Sequence, residues 1–159
     1  MAHPRTLALD VGDRRIGIAI TDALGITAQP LFTLHRTSPR ADLKAVARFI
    51  RQHKVKVVII GNPLHADGTV SPQSEKSQEF AAALHGFIAP THPDVAFHLV
   101  DERLTTRDAH ELLDMSKKIA SKSSRLTRTE TIDQVAAVLL LESFLSGDKP
   151  TLLPDPETS

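Results

Sequence analysis

LALDVGDRRIGIAITD, Leu7 to Asp22, decides the fold of this chain. Two short apolar runs, Thr6–Val11 and Arg15–Thr21, flank Gly12-Asp13, the composition of a β-hairpin with a tight turn. Asp10 interrupts the first run. A buried carboxylate without a partner costs several kcal/mol, so a charge at that place needs a reason.

Around this hairpin the chain alternates between strand and helix patterns. Gln29–His35 reads as a third strand, with Pro30 suited to a start or an edge. Ser38-Pro39 opens a helix from Arg40 to about His53, with Leu43, Val46, Ala47 and Ile50 on one face. Val55–Ile60 is a β-branched run of the kind found in buried parallel strands. The loop GNPLHADGTVSP follows, then a helix from Gln73 to about Ala89 and a fifth strand, Val95–Val100, leading into Asp101-Glu102. Thr105 or Thr106 is placed to cap a helix through about Met115. Lys117–Glu130 is polar and basic without a clear period and is expected to be a mobile loop. Thr131 and Gln134 have the spacing of a capping box for a last apolar helix ending near Leu145. The order βββαβαβαα implies a mixed five-stranded α/β sheet with helices on both faces. Residues 1–146 form one expected domain, and 147–159, with Pro150, Pro154 and Pro156, an expected flexible tail.

Composition narrows the function. The 159 residues carry 19 basic and 19 acidic side chains, so a basic coat is excluded and any polyanion binding must use local patches. There is no cysteine, hence no disulfide framework and no thiolate metal site, which fits a cytoplasmic protein. No segment reaches the roughly 20 apolar residues of a membrane span. Tryptophan and tyrosine are absent, against a base-stacking platform for single strands.

In a sheet of this kind, sites form at the carboxyl ends of the parallel strands. Asp10 lies near the end of the first strand, Asp101 and Glu102 end the fifth, and Asp133 sits in the expected first turn of the last helix. Three acids distant in sequence can converge at one rim. Alternation along the strand sends Asp101 and Glu102 to opposite faces, so only one of them serves. Clustered carboxylates repel unless a cation neutralises them, and oxygen ligands alone favour Mg²⁺ or Mn²⁺ over zinc. Two such ions roughly 4 Å apart are a general solution to phosphodiester hydrolysis. Each acid also has a plainer reading: a turn residue for Asp10, a partner of Arg103 or Arg107 for Glu102, and helix-dipole chemistry for Asp133.

Four blocks, LALDVGDRRIGIAITD, VVIIGNPLHADGTVS, LVDERLTTRDA and IDQVAAVLLLESFL, in this order and spacing, resemble the YqgF/RuvX family. The likeness runs from about Leu7 to Leu145. It implies an RNase H-like fold related to Holliday junction resolvases and a nuclease acting on the precursor of 16S ribosomal RNA during ribosome biogenesis. It also implies Asp10, Glu102 and Asp133 as catalytic metal ligands. Where the family often has a dense Lys/Arg run before the last aspartate, this chain has the more dilute KKIASKSSRLTRTE.

Nucleic-acid contacts are expected from Arg14 and Arg15 beside Asp10, from Asn62 in the loop after the fourth strand, and from Lys122, Arg125 and Arg128 before Asp133. Arg40, Lys44, Arg48 and Arg51 fall at helical spacing and read either as a solvated face or as a phosphate track. Three rival functions remain: a resolvase acting on DNA, a non-catalytic RNA-binding assembly or transcription factor, and a phosphate-cradling kinase, for which the chain lacks a second domain. Structured RNA, branched DNA and a ribosome precursor are the partners in view, and both monomer and weak dimer remain open.

Overall fold

The computed structural model describes residues 4–63, 67–101, 109–122, 125–147 and 151–152. Its elements are β1 (Thr6–Val11), β2 (Arg15–Thr21), β3 (Ala28–His35), α1 (Pro39–Gln52), β4 (Val57–Asn62), α2 (Pro72–Ile88), β5 (Ala96–Asp101), α3 (Ala109–Lys122), α4 (Arg128–Leu145) and β6 (Thr151–Leu152). The sheet order is β3-β2-β1-β4-β5-β6. β1, β4 and β5 run parallel, β2 is the antiparallel neighbour of β1, and β3 pairs antiparallel with β2 at the edge. This is the expected mixed five-stranded sheet. The two-residue β6, from the stretch read as tail, pairs antiparallel with His98 and Leu99 on its far edge.

β1 is buried on both sides because its alternate residues feed two cores. Leu7, Leu9 and Val11 join Ile16, Ile18, Ile20, Val58, Ile60, Phe97 and Leu99 against the inner faces of α1 and α2. On the opposite face Ala8, Ala19, Ile59 and Val100 pack on Ala137, Val138, Leu140 and Leu141 of α4. The first face is built from large aliphatic side chains. The second is built largely from small ones, and a helix can approach it closely.

The helix starts follow from side-chain caps. Ser38 accepts a hydrogen bond from the Ala41 N–H and Ser71 from the Ser74 N–H, each followed by proline in the first turn. On α1 the only acid, Asp42, is 3% exposed and takes Arg36 Nε at 3.0 Å and the Thr37 N–H at 3.1 Å. Arg40, Lys44, Arg48 and Arg51 all face solvent.

Two expectations about the second half are corrected. The first is the loop at Lys117–Glu130. α3 continues to Lys122 because Leu112, Met115 and Ile119 form an apolar stripe, with Ile119 buried and Met115 packed on the α4 core. Residues 123–124, like the Thr105 and Thr106 caps, lie outside the described residues. The second is the capping box. It is Thr127 with Glu130, at 3.1 and 3.0 Å, rather than Thr131 with Gln134. Thr131 instead donates to the Thr127 carbonyl, and Gln134 is buried with its amide donating to Thr33 on β3. Asp133 therefore stands in the second turn of α4, not the first, which weakens the dipole explanation for it.

Candidate active site

The geometry around Asp10 rests on Gly17. In the β1–β2 ladder Asp10 is in register with Gly17, as Ala8 is with Ala19. Directly opposed residues project to the same face, and Ala8 and Ala19 belong to the α4 core, so Asp10 points to the α4 side. A side chain at Gly17 would run into the Asp133 carbonyl and lie 3.2 Å from the Asp133 Cβ. The backbone of α4 thus rests on β2 at the residue opposite Asp10. The missing Cβ brings the two aspartates to one place.

Arg15, two residues before Gly17 and on the same face, donates from Nε to Asp133 Oδ2 at 2.7 Å, and both side chains are half-buried. This charge-assisted bond spans 118 residues of sequence and holds the Asp133 carboxylate on the β1–β2 hairpin. Arg15, expected as a phosphate contact, is thereby committed to an acid of the site. Arg14, next to it at the tip, is exposed.

The hairpin tip is wider than the two-residue turn expected at Gly12-Asp13, since Val11 pairs with Ile16. It is also gripped from behind. Arg36 donates its backbone N–H to the Arg14 carbonyl at 2.8 Å and Nη1 to the Gly12 carbonyl at 2.9 Å. Gln73 Nε2 reaches the Val11 carbonyl at 2.8 Å, and Lys76 meets Asp13 at 2.9 Å. Arg36 itself is fixed by Asp42 and lies over the Phe80 ring, 5.2 Å from its centroid. Sequence reasoning missed Arg36 and Gln73. Both lie far along the chain from the hairpin; the one signal that could have found Arg36 is Asp42, an acid one turn before Val46 on the apolar face of α1.

The other expected residues divide. Asn62 sits at the end of β4, but its Oδ1 accepts from Ser74 Oγ and from Gln78 Nε2 at 3.4 Å, so it serves to anchor α2. Asp101 is in register with Asn62 and alternates with Val100 of the α4 core, which puts it on the face away from Asp10. Glu102 lies outside the described residues. Lys122 ends α3, Arg125 lies in the connection and Arg128 opens α4; all three are exposed. Lys122 and Glu130 help to line a groove of about 390 Å³ between β3 and the α3–α4 junction. There the Thr127 backbone N–H, with His35 at 3.1 Å, holds the Glu130 carboxyl below its usual range.

No group of three or more histidine, aspartate or glutamate side chains poised for a metal occurs among the described residues. The donors present nonetheless suit a hard cation. Asp10 and Asp133 supply oxygen only, on one face, and Arg15 supplies a positive charge to Asp133. No helix of the described residues is long and apolar enough to cross a membrane.

Comparison with known proteins bears on the fold and the family. The chain is 42% identical over 143 residues to a protein of Koribacter versatilis, covering 90% of this chain and 87% of that one, and 40% identical over 146 residues to one of Myxococcus xanthus, covering 92% and 90%. Both bear the name of a candidate pre-16S rRNA nuclease. Among solved structures, Thermus thermophilus RuvC in complex with a Holliday junction substrate superposes with a TM-score of 0.57 at 15% identity, covering 93% of this chain and 99% of that one. The fowlpox virus resolvase bound to junction DNA gives 0.53 at 18% identity, covering 89% and 97%. These likenesses place the chain on the RNase H-like fold of the RuvC-type resolvases. The RuvX family model, described as Holliday junction resolvase, matches residues 4–147, and the chain therefore belongs to the RuvX (YqgF) family.

Proposed function

We propose that this protein is a nuclease that hydrolyses phosphodiester bonds in structured RNA, processing the 5′ end of the 16S ribosomal RNA precursor in the cytoplasm. The observation that carries the reading is the close approach of the Asp133 backbone to Gly17, the residue in register with Asp10, in a chain of the RuvX family. In this reading Asp10, Glu102 and Asp133 hold Mg²⁺ or Mn²⁺ within a nuclease unit of residues 1–146. Bound divalent cations supply water activation and charge stabilisation on the leaving oxygen.

The chain's own residues orient the reaction. The hairpin clamp fixes Asp10, Arg15 locks the Asp133 carboxylate, and Arg14 is exposed at the tip, where it meets a phosphate oxygen. No side-chain nucleophile is required, and the products carry 5′-phosphate and 3′-hydroxyl ends. Lys122, Arg125 and Arg128, exposed and shortly before Asp133 in the chain, serve as phosphate contacts in this reading. Asn62 acts indirectly, by seating α2, whose Gln73 and Lys76 hold the hairpin.

Purified protein with Mn²⁺ should cut a precursor RNA fragment, and Asp10→Asn should not. Equal cutting by the variant would assign the activity to a contaminant. A second reading, resolution of branched DNA, draws on the family description and on the junction-bound neighbours. Competition between precursor RNA and a four-way DNA junction decides between the two. Binding without metal-dependent turnover of either substrate would leave an assembly or transcription factor.

A further inference from the structure

α1 carries a charge pattern that its own fold does not account for. Arg40, Lys44, Arg48 and Arg51 are all exposed, and none has an ion-pair partner among the described residues. The one acid of the helix, Asp42, is buried and already paired with Arg36. The exposed face is therefore purely cationic in a chain whose 19 basic and 19 acidic residues cancel. Like charges three or four residues apart on a helix repel and destabilise it. A face kept only for solubility gains more from mixed signs. The exposed sides of α2 and α3 are mixed, with Glu75, Lys76 and Glu79 on one and Glu111, Asp114, Lys117 and Lys118 on the other.

The position of the stripe matters as much as its charge. α1 starts just after Arg36, which grips the hairpin tip beside Asp10, and exposed Arg14 stands on that tip. From Arg40 to Arg51 the helix rises about 16 Å. A duplex strand carries a charge about every 3.4 Å of axis, so roughly four or five phosphates of one strand span the stripe. The four cations dominate this face, with the Gln52 amide only at its far end, so the contact is chiefly to the phosphate backbone.

We infer that the exposed face of α1 is a second nucleic-acid surface, which grips the double-stranded arm of the substrate leading away from the cut. The inference rests on the nuclease reading and adds a substrate requirement: a duplex segment on the α1 side of the scissile bond.

The test is binding, with cleavage silenced by Asp10→Asn. Fluorescence anisotropy is followed against salt for RNA hairpins with duplex arms of about 4 and about 12 base pairs, and for a four-way DNA junction, which separates RNA from DNA as the source of the phosphates. Arg40→Gln, Lys44→Gln, Arg48→Gln and Arg51→Gln combined should lower the salt slope by about 2 to 4, near 0.9 per lost phosphate contact. The longer arm should bind more tightly than the shorter only when the four cations are present. Replacing the three arginines with lysine, which keeps the charge, should keep the slope. The thermal midpoint of the Gln variant should be unchanged or higher, since repulsion is relieved. An unchanged slope, or equal binding of both arms by the parent, overturns the inference. Turnover of the RNA by the protein with Asp10 intact, measured separately, keeps that failure distinct from a failure of the nuclease reading.

Discussion

The two faces of the sheet answer different demands. Against α1 and α2, Leu7, Leu9, Ile16, Ile18, Ile60 and Leu84 are fully buried and interlock. Against α4, Ala8, Gly17 and Ala19 replace that bulk, and the face accommodates Asp10, the Arg15–Asp133 pair and half-buried His98. Stability is concentrated on the first face. The second trades contact area for closeness, because only small residues let the helix backbone bring Asp133 onto the strand. A carboxylate inside an apolar run is the sequence's sign of that division.

The sharpest test of the contrast is Asp10→Asn, which keeps shape and removes charge. Turnover with Mn²⁺ should fall by a factor of about 100 or more, while the unfolding midpoint holds or rises as strain at the site is relieved. Calorimetry should show weaker Mn²⁺ binding. An undiminished rate would break the assignment of the α4 face as the working one.

A paired comparison of Leu9→Ala and Gly17→Ala comes next. Leu9→Ala leaves a cavity on the first face and should cost about 2–5 kcal/mol in denaturant unfolding. The rate per folded molecule should change little. Gly17→Ala overpacks the second face and should cost about 1–3 kcal/mol, yet abolish most of the activity by pushing Asp133 away. If both variants lost activity in proportion to stability, the two faces would not be separable.

A smaller effect is expected at the α3–α4 junction. Replacing Lys122, Arg125 and Arg128 with alanine should lower the salt slope of nucleic-acid binding by about 0.7–0.9 per lost phosphate contact. An unaltered slope would make these three cations solvent-facing only.

The smallest is a pH effect from His98. Its Nδ1 has no partner among the described residues, and burial lowers its pKa below the ordinary 6.5. The folded protein resists protonation there while the unfolded chain accepts it. Stability from this group is therefore whole above about pH 6.5 and declines as the pH falls toward the lowered value. Thermal midpoints of His98→Leu should decline less between neutral and mildly acid pH than those of the parent. Parallel curves would count against it.

The sequence made the topology readable because each strand of the sheet has its own strong signal. Val57–Ile60 is continuously β-branched, and Leu7–Ile20 is cut by a glycine-bearing turn. Asp10 and Asp133 were legible as candidate site acids from their places relative to those strands and to the last helix. The errors came where two local signals competed. Thr127/Glu130 and Thr131/Gln134 both have capping spacing, and burial of Thr131 and Gln134 against β3 decided between them. The lysines of α3 masked the Leu112–Met115–Ile119 stripe. Arg15–Asp133 and the Arg36 clamp join residues far apart in the chain, and no local pattern announces such contacts.

That clamp also bears on motion. Hairpin tips ordinarily open at almost no free-energy cost and exchange their amide hydrogens quickly. Here the carbonyls of Val11, Gly12 and Arg14 are taken by Gln73 and Arg36, and Gly12 N–H donates to the Arg15 carbonyl at 2.9 Å. The tip cannot open without releasing the first turns of α1 and α2. The Gly12 amide then belongs to the slow-exchanging cooperative unit of the core, so this corner of the rim arrives at a substrate already in its working shape.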